Sequence, residues 1–557
     1  MQRRQAKKNI VLLITALFAV IIIIDRYAWA QVSQWREDQA TNLWLGYTAR
    51  FGHMPVGLIS SASIPNPNGM ILLGSLLSLL PSLLSVSLFL GLAQAILLIL
   101  VGWKASAGSW QYFALAALPA LSSVILRSSS VEFWNQYTIT LVNLFFLFWA
   151  LRYLEKPSLW NLPPIALLIL LAPSIYLAGM VNGIVMVLLT LGMILYKRPN
   201  GRHFWIVAAV VASVFLVSIL LTWRPYFQNV SLSQLADYNK NSPGPIATFR
   251  AFWESLFGIP VYGTFQWADQ SIYTQAFKHA DEAILTHPTK IILRLVGRVY
   301  LLQAVFAFVA AAFILYRLVV YGVNHNGGLS SIRLPALRLV VLSILFISLS
   351  YTISTWMGGP SWLNGQRPDQ IVQFLPMFLF FIFLLPVIAR IDGKAGDVIV
   401  AASYLLLGIF VTVNLLCGIM IVHDHLQYRG DVLSEADVPL TNKAQAVAFI
   451  AGDWKKHSEA GTISVDYRLG GGRWDWVPEF GRTLTKWYPA PMTQGRSFDY
   501  ELLRTYGLTN VQEGQQIRTF GGGRYLITYA FEKPPLGDAG RIRHYIFGRL
   551  RVSVVEK

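Results

Sequence analysis

The chain has one cysteine, Cys417, among 557 residues. No disulfide can form within it, and cysteine usage is silent about redox compartment. Charge is equally sparse. Asp, Glu, Lys and Arg make up 13% of the residues, hydrophobic residues 55%, and the mean hydropathy is +0.50. An ordinary soluble domain is about 25% charged, so a soluble globular protein is excluded. Carboxylates are the scarcer sign, 28 against 45 lysines and arginines. The net charge of +17 does not lead to nucleic acid, because basic residues in a polytopic chain mark cytoplasmic loops and lipid headgroups. No nucleic-acid partner is expected. Close-set metal-ligand motifs such as HExxH are missing, as is a clearly placed small-residue cleavage site after the first apolar run. Ionisable residues are few inside the apolar runs and no two halves of the chain are alike, which speaks against a transporter built from repeats.

What is abundant is apolar sequence, in runs near the ~20 residues that cross a ~30 Å hydrocarbon core. The first extends from Ile10 to about Ala28 behind MQRRQAKKN, which carries basic residues and no acid. It reads as a membrane helix with a cytoplasmic N-terminus. Further runs are Leu83–Trp103, Trp110–Leu126, Tyr137–Arg152, Leu162–Leu177, Val181–Tyr196, Phe204–Trp223, Val299–Val320, Leu334–Trp356, Ile371–Ala389 and Asp397–Val422. With these spans, Lys104, Arg152 to Lys156, the cluster of Lys197, Arg198 and Arg202, the Arg317–Arg333 connection and the Arg390–Lys394 turn all share the side of the N-terminus, as the positive-inside rule asks. The expected fold is a polytopic α-helical membrane protein of about 11 transmembrane helices, residues 1–422, with a C-terminal soluble α/β domain, residues 423–557, outside the cytoplasm of the cell membrane. Outer loops are expected at about 29–82, 127–136, 224–298 and 357–370. Met70–Leu80 is too short to span, is followed by Pro81, and reads as a re-entrant or interfacial helix.

Just past the first run, on the expected outer face, WREDQATNLWLGYTA (Trp35–Ala49) sets Glu37 and Asp38 ahead of a helix-like pattern. Tyr27, Trp29 and Trp35 stand beside the pair and suit a headgroup interface. Charges this near a membrane are often functional. Acids also favour a helix N-terminus, so capping of the segment Gln39–Phe51 is the competing account.

A basic N-terminus, one span, an outer acidic pair, a juxtamembrane helix after a Pro-Asn-Pro turn and many short spans together resemble the GT-C superfamily of membrane glycosyltransferases. That group includes the protein mannosyltransferases, the bacterial aminoarabinose transferases and the RgtA/B/C/D-like enzymes. In it the first outer loop carries an Asp-Glu or similar pair, then a small residue and a helix. EDQA, Glu37–Ala40, is similar to that motif with the order of the acids inverted. Asp38 matches the family's base whether the pair is aligned on Glu37–Asp38 or the family's Asp on Asp38 alone. The resemblance runs from Met1 to His423 and implies transfer of a sugar from a polyprenyl phosphate to an outer hydroxyl of a glycan, lipid or protein acceptor, with inversion. A carboxylate would take the hydroxyl proton, help worth ~10²–10⁴-fold. A cation or metal would hold the departing phosphate.

Other outer stretches offer the remaining parts. In LRSSSVEFWNQYT (Leu126–Thr138), Glu132 matches by position a second family acid near the donor, or caps the following helix. Arg127 binds phosphate, or snorkels to a headgroup. In WMGGPSWLNGQRPDQIVQFLP (Trp356–Pro376), Arg367 is the sole cation and its guanidinium suits a bidentate phosphate clamp, with Trp362 as a face for sugar or lipid. An Arg367–Asp369 pair is the local alternative, and the Arg-Tyr pair of relatives is missing. In the long loop 224–298, Tyr226 and other aromatics interleave with acids, a mixture that suits sugar recognition as well as packing. No cofactor is required by the residues. A divalent metal enters only through the resemblance, with His279 and His287 as weak ligand candidates.

After His423 the pattern turns soluble. TNKAQAVAFIAGDWKKH has helical periodicity from Thr441, while GTISVDY and RYLITYAF read as strands. LGGGRWDW and FGGGRYLI suggest tight turns into strands, since neither precedes a helix as a phosphate-cradling loop would. Trp474, Trp476, Trp487 and Tyr488 near Asp475 and Glu479 suit stacking on an acceptor sugar, or fill a core. An outer-leaflet polymerase or ligase with a lipid-diphosphate donor would carry the same outer acids and arginines. Donor chemistry alone separates the two.

Overall fold

The computed structural model describes residues 2–35, 37–52, 57, 66–176, 179–197, 201–218, 220, 284–321, 334–356, 376, 380, 394–430, 438–457, 463–466, 497–506, 511–514, 524–531 and 541–556. Residues 224–283 of the expected 224–298 loop, the 357–370 loop, the aromatic stretch from Leu469 to Tyr488 and, apart from Pro376 and Phe380, the span expected at Ile371–Ala389 lie outside the described residues.

Helix α1 (Gln2–Gln31) holds the first apolar run. Leu13, Leu17, Ile21 and Ile24 on it are exposed, as lipid-facing residues are, whereas Trp29 and Ala30 at its C-terminal end are buried. The helix therefore enters the protein at the end where the acidic pair follows. Helices α2 (Glu37–Ala49) and α3 (Gly69–Leu77) come next, the second being the short helix expected at Met70–Leu80. They cross closely because Gly46 meets Gly74: a Cβ on Gly46 would run into the Gly74 backbone, and one on Gly74 would lie 2.7 Å from the Asn42 carbonyl oxygen.

Helix α4 (Leu83–Ala105) starts at Ser82, whose hydroxyl accepts the Ser85 N–H at 3.1 Å. The single span expected over Trp110–Leu126 is instead two helices, α5 (Trp110–Ser122) and α6 (Val124–Ser130), bent by 61°. The break is at Ser123, where ψ swings to 121°. It is held by tertiary partners: the Ser123 hydroxyl lies 2.9 Å from that of Tyr300, and the freed Val124 N–H donates to Asn414 Oδ1 at 3.1 Å. Irregular backbone at membrane depth persists where such partners exist.

There follow α7 (Asn135–Glu155), α8 (Leu162–Ile175), α9 (Gly179–Lys197), α10 (Gly201–Ser218), α11 (His287–Tyr321), α12 (Leu334–Trp356) and α13 (Lys394–Gln427). Helix α4 packs on α1, α5 and α7, α8 on α9, and α11 on α13. Among the described residues, Leu83–Ala105, Tyr137–Glu155, Gly179–Lys197 and Gly396–Gln427 are long and apolar enough to cross a membrane, and the bent α5–α6 pair makes a fifth. Those are four or five of the roughly eleven spans that run length suggests.

The C-terminal part comprises α14 (Leu440–His457), β1 (Ile463–Asp466), α15 (Ser497–Tyr506), β2 (Val511–Gly514), β3 (Tyr525–Tyr529), β4 (Arg541–Phe547) and β5 (Leu550–Glu556). Its sheet order is β2-β1-β3-β5-β4, parallel on both sides of β1 and antiparallel from β3 onward. Val447 and Ile450 of α14 and Phe498 and Leu502 of α15 bury against Tyr525, Ile527 and Val552 of the sheet. Strand β3 is buried along its length, while β4, at the edge, exposes Arg541, Arg543 and His544. Charges on an edge strand discourage pairing with another chain. The turn from β4 to β5 passes through Gly548 at φ +59°, a left-handed position that suits glycine.

Candidate functional site

Residues 32–35 link α1 to α2, and hydrogen bonds fix where they lie. The Ser33 hydroxyl donates to the Val131 carbonyl at 3.2 Å, and the Trp35 indole N–H donates to the Ser87 hydroxyl of α4 at 2.7 Å. Trp35 is fully buried. The link between α1 and α2 is thereby laid beside the stretch 131–134 between α6 and α7. Glu37 is the first residue of α2, and Asp38, the second, is half-buried. Glu132, next to Val131, is 8% exposed. The two stretches carrying the expected outer acids are thus neighbours, joined through Ser33 and Val131.

Arg127 has a different setting from the one expected. Residues 127–130 are the last turn of α6 rather than a loop, and the arginine is 1% exposed, so it does not snorkel to a headgroup. Its Nη1 lies 2.5 Å from Asp25 Oδ1, its Nη2 donates to the Asn414 carbonyl at 2.7 Å, and its guanidinium sits 5.6 Å from the Trp29 ring centre. Asp25 also holds Arg26 at 2.7 Å. Two buried guanidinia therefore share one carboxylate, and Arg127 is already engaged by Asp25 and by the Asn414 carbonyl.

His287 is exposed at the first position of α11. The acid near it, Asp424, accepts the Thr286 N–H at 2.8 Å and the Thr286 hydroxyl at 2.9 Å, and so caps that helix. Among the described residues no three His, Cys, Asp or Glu side chains gather as a metal site would require. Tyr226, His279, Trp362 and Arg367 lie outside the described residues.

The sheet-bearing C-terminal part meets this region directly. Lys443 of α14 donates from Nζ to the Trp35 carbonyl at 3.0 Å. Glu501 of α15 accepts the Leu83 N–H at the start of α4 and the Thr505 hydroxyl, the latter at 3.0 Å. Burial pushes the Glu501 carboxyl up from 4.5 to about 7 against the pull of those two donors. Arg504 donates to the Ser78 carbonyl at 2.9 Å and lies 5.6 Å from the Tyr47 ring centre, while Tyr500 meets Tyr47 edge to face at 6.4 Å.

Neither Asp25 and Arg26 nor Lys443 and Glu501 stand out as site residues in the sequence. The first two had a signal, being charges at the end of the apolar run IIIIDRYAWA. The second two had none, since their partners are backbone atoms hundreds of positions away.

No family model matches this chain, and no curated protein matches it. Among solved structures it is similar to the crystal structure of ArnT from Cupriavidus metallidurans in the apo state, at 13% identity over 99% of this chain and 98% of that one, with a TM-score of 0.31.

Proposed function

We propose that this protein is an integral-membrane glycosyltransferase that moves a sugar from a polyprenyl-phosphate donor to an extracytoplasmic acceptor hydroxyl, with Asp38 as the base. One observation carries the reading: Asp38, half-buried, stands in the first turn of the helix that follows α1, and that helix starts beside the stretch that holds Glu132. In the step, the acceptor oxygen attacks the anomeric carbon and the bond to the phosphate oxygen breaks. The phosphate leaves with the bonding electrons and Asp38 takes the proton, so configuration inverts. Glu37 is the neighbouring acid, and Glu132 lies on the donor side. Arg367, with Trp362 and Tyr226, is the better holder of the donor phosphate, because Arg127 is already engaged by Asp25. The N-terminus is cytoplasmic and the soluble domain faces outward.

Asp38→Asn, nearly isosteric, should leave expression and thermal stability near wild type while lowering transfer by about 10²-fold or more. Wild-type turnover in that variant removes Asp38 as the base, and abolition by Glu37→Gln moves the role one residue earlier. Lipid extracts of cells with and without the gene identify the donor. An accumulating polyprenyl-phosphate sugar supports this reading, and an accumulating lipid diphosphate replaces it with a polymerase or ligase.

A further inference from the structure

Trp35 is anchored twice. Its indole is tied to Ser87 of α4 and its carbonyl to Lys443, which comes from the soluble domain 408 positions later in the chain. Lys443 is 1% exposed. Burying an ammonium costs several kcal/mol unless hydrogen bonds compensate, and here one of its hydrogen bonds goes to the last described residue before the acidic helix. Only Arg36 separates Trp35 from Glu37.

The far end of that helix is gripped by the same domain. Tyr500 and Arg504 of α15 lie against Tyr47 in the last turns of α2, and Arg504 and Thr505 reach the Ser78 and Pro81 carbonyls after α3. Leu440 and Tyr500, although they belong to the soluble domain by position, are buried in the core of the membrane module. The domain therefore does more than rest on the outer surface.

We propose that the soluble domain sets the position of the acidic pair, with Lys443 as the positioning residue at the N-terminal side of α2 and the α15 face as the stop at its other end. The main chain at Trp35 determines the direction in which α2 starts, and hence where Asp38 stands relative to the outer end of α1. Displacement of about 1 Å at a reacting group can cost on the order of 10²-fold in rate. As a statement about catalysis, this rests on the assignment of Asp38 as base. As a statement about structure, it does not.

The test compares wild type, Lys443→Met and Lys443→Arg as full-length protein in lipid nanodiscs. Lys443→Met keeps the aliphatic stem and removes the donor. Amide hydrogen exchange over residues 33–45 should rise several-fold in Lys443→Met and return toward wild type in Lys443→Arg, with the β3 and β5 amides unchanged. A lysine that only stabilises its own domain would give the opposite pattern, faster exchange in β3 and β5 and none over 33–45, and that result overturns the proposal. Should Lys443→Met fail to accumulate, Lys443→Gln, with a shorter donor arm, is read by the same two segments. Transfer in cells should fall in Lys443→Met, recover in Lys443→Arg, and fall no further when Lys443→Met is added to Asp38→Asn, since the two act on one step. Full activity of Asp38→Asn would remove the assignment of the base while leaving the exchange result to decide the positioning role by itself.

Discussion

Two of the regions described gather buried and half-buried charged side chains, and these find their partners differently. At the end of α1 that leads to α2, Asp25 meets Arg26 and Arg127, charge against charge across α1 and α6, and each guanidinium also reaches one main-chain carbonyl, Leu121 for Arg26 and Asn414 for Arg127. At the join with the C-terminal part, Lys443, Glu501, Arg504 and Arg549 bond main-chain groups: the carbonyls of Trp35, Ser78 and His425 and the amide of Leu83. A pair of opposite charges holds two helices together but lets either backbone shift with its side chain. A charged group on a carbonyl or amide holds the backbone itself. The first region is built mainly on one shared carboxylate and suits packing; the second is built mainly on main-chain groups and suits placement, with its contacts at Trp35 and Ser78 lying just before α2 and just after α3.

The largest expected effect breaks the first region. Asp25→Leu leaves two buried guanidinia without their carboxylate, and losing one partner of such a pair costs about 3–5 kcal/mol. The variant should unfold well below wild type in detergent, or fail to accumulate. Adding Arg127→Met should recover part of the loss, and a wild-type melting temperature for Asp25→Leu alone would show that the arginines lean on other groups.

A smaller effect sharpens the second region through pH. Glu501 titrates near 7 rather than 4.5 because it is buried. A raised carboxyl favours the folded, docked state while the proton is on, so its contribution is complete below about 4.5 and is lost as pH climbs through about 7. The melting temperature should decline over that window, and Glu501→Gln, which keeps an acceptor and carries no charge, should flatten the decline. Equal slopes in the two proteins would separate the Glu501 contact from ionisation. The smallest effect belongs to a pair outside both regions. Lys104 and Glu155 pair at the basic face with 31% and 55% of their side chains exposed, and Glu155→Gln should cost less than ~1 kcal/mol.

The helices were readable because an apolar run has one dominant cause, burial from water. The run Leu334–Trp356 is α12 end to end, and Leu83 begins α4 as expected. The break at Ser123 was not readable, since Val124–Leu126 continue the apolar run past it and the partner that permits the break, Asn414, is remote in the chain. The same cause hid the setting of Arg127. A lone arginine at the end of a run looks like a headgroup anchor until Asp25 is brought against it. In the soluble domain, alternation and turn residues were enough for β1, β3 and α14. The role of Lys443 was hidden by its neighbourhood in TNKAQAV, where it looks like any solvated lysine on an amphipathic helix. Asp38 was legible as a candidate because two acids beside a span are conspicuous in a chain with so few.

Asn414 serves the break between α5 and α6 twice, taking the Val124 amide on its side chain and the Arg127 guanidinium on its carbonyl. It is made 290 positions after Val124. At a synthesis rate of 5–20 residues per second, roughly 15–60 s pass before the partner exists. During that time the bent pair must wait with an open amide, sheltered by the insertion machinery or drawn out as a straight helix. The mature bend is therefore a late event in biogenesis, and it is completed only when α13 arrives.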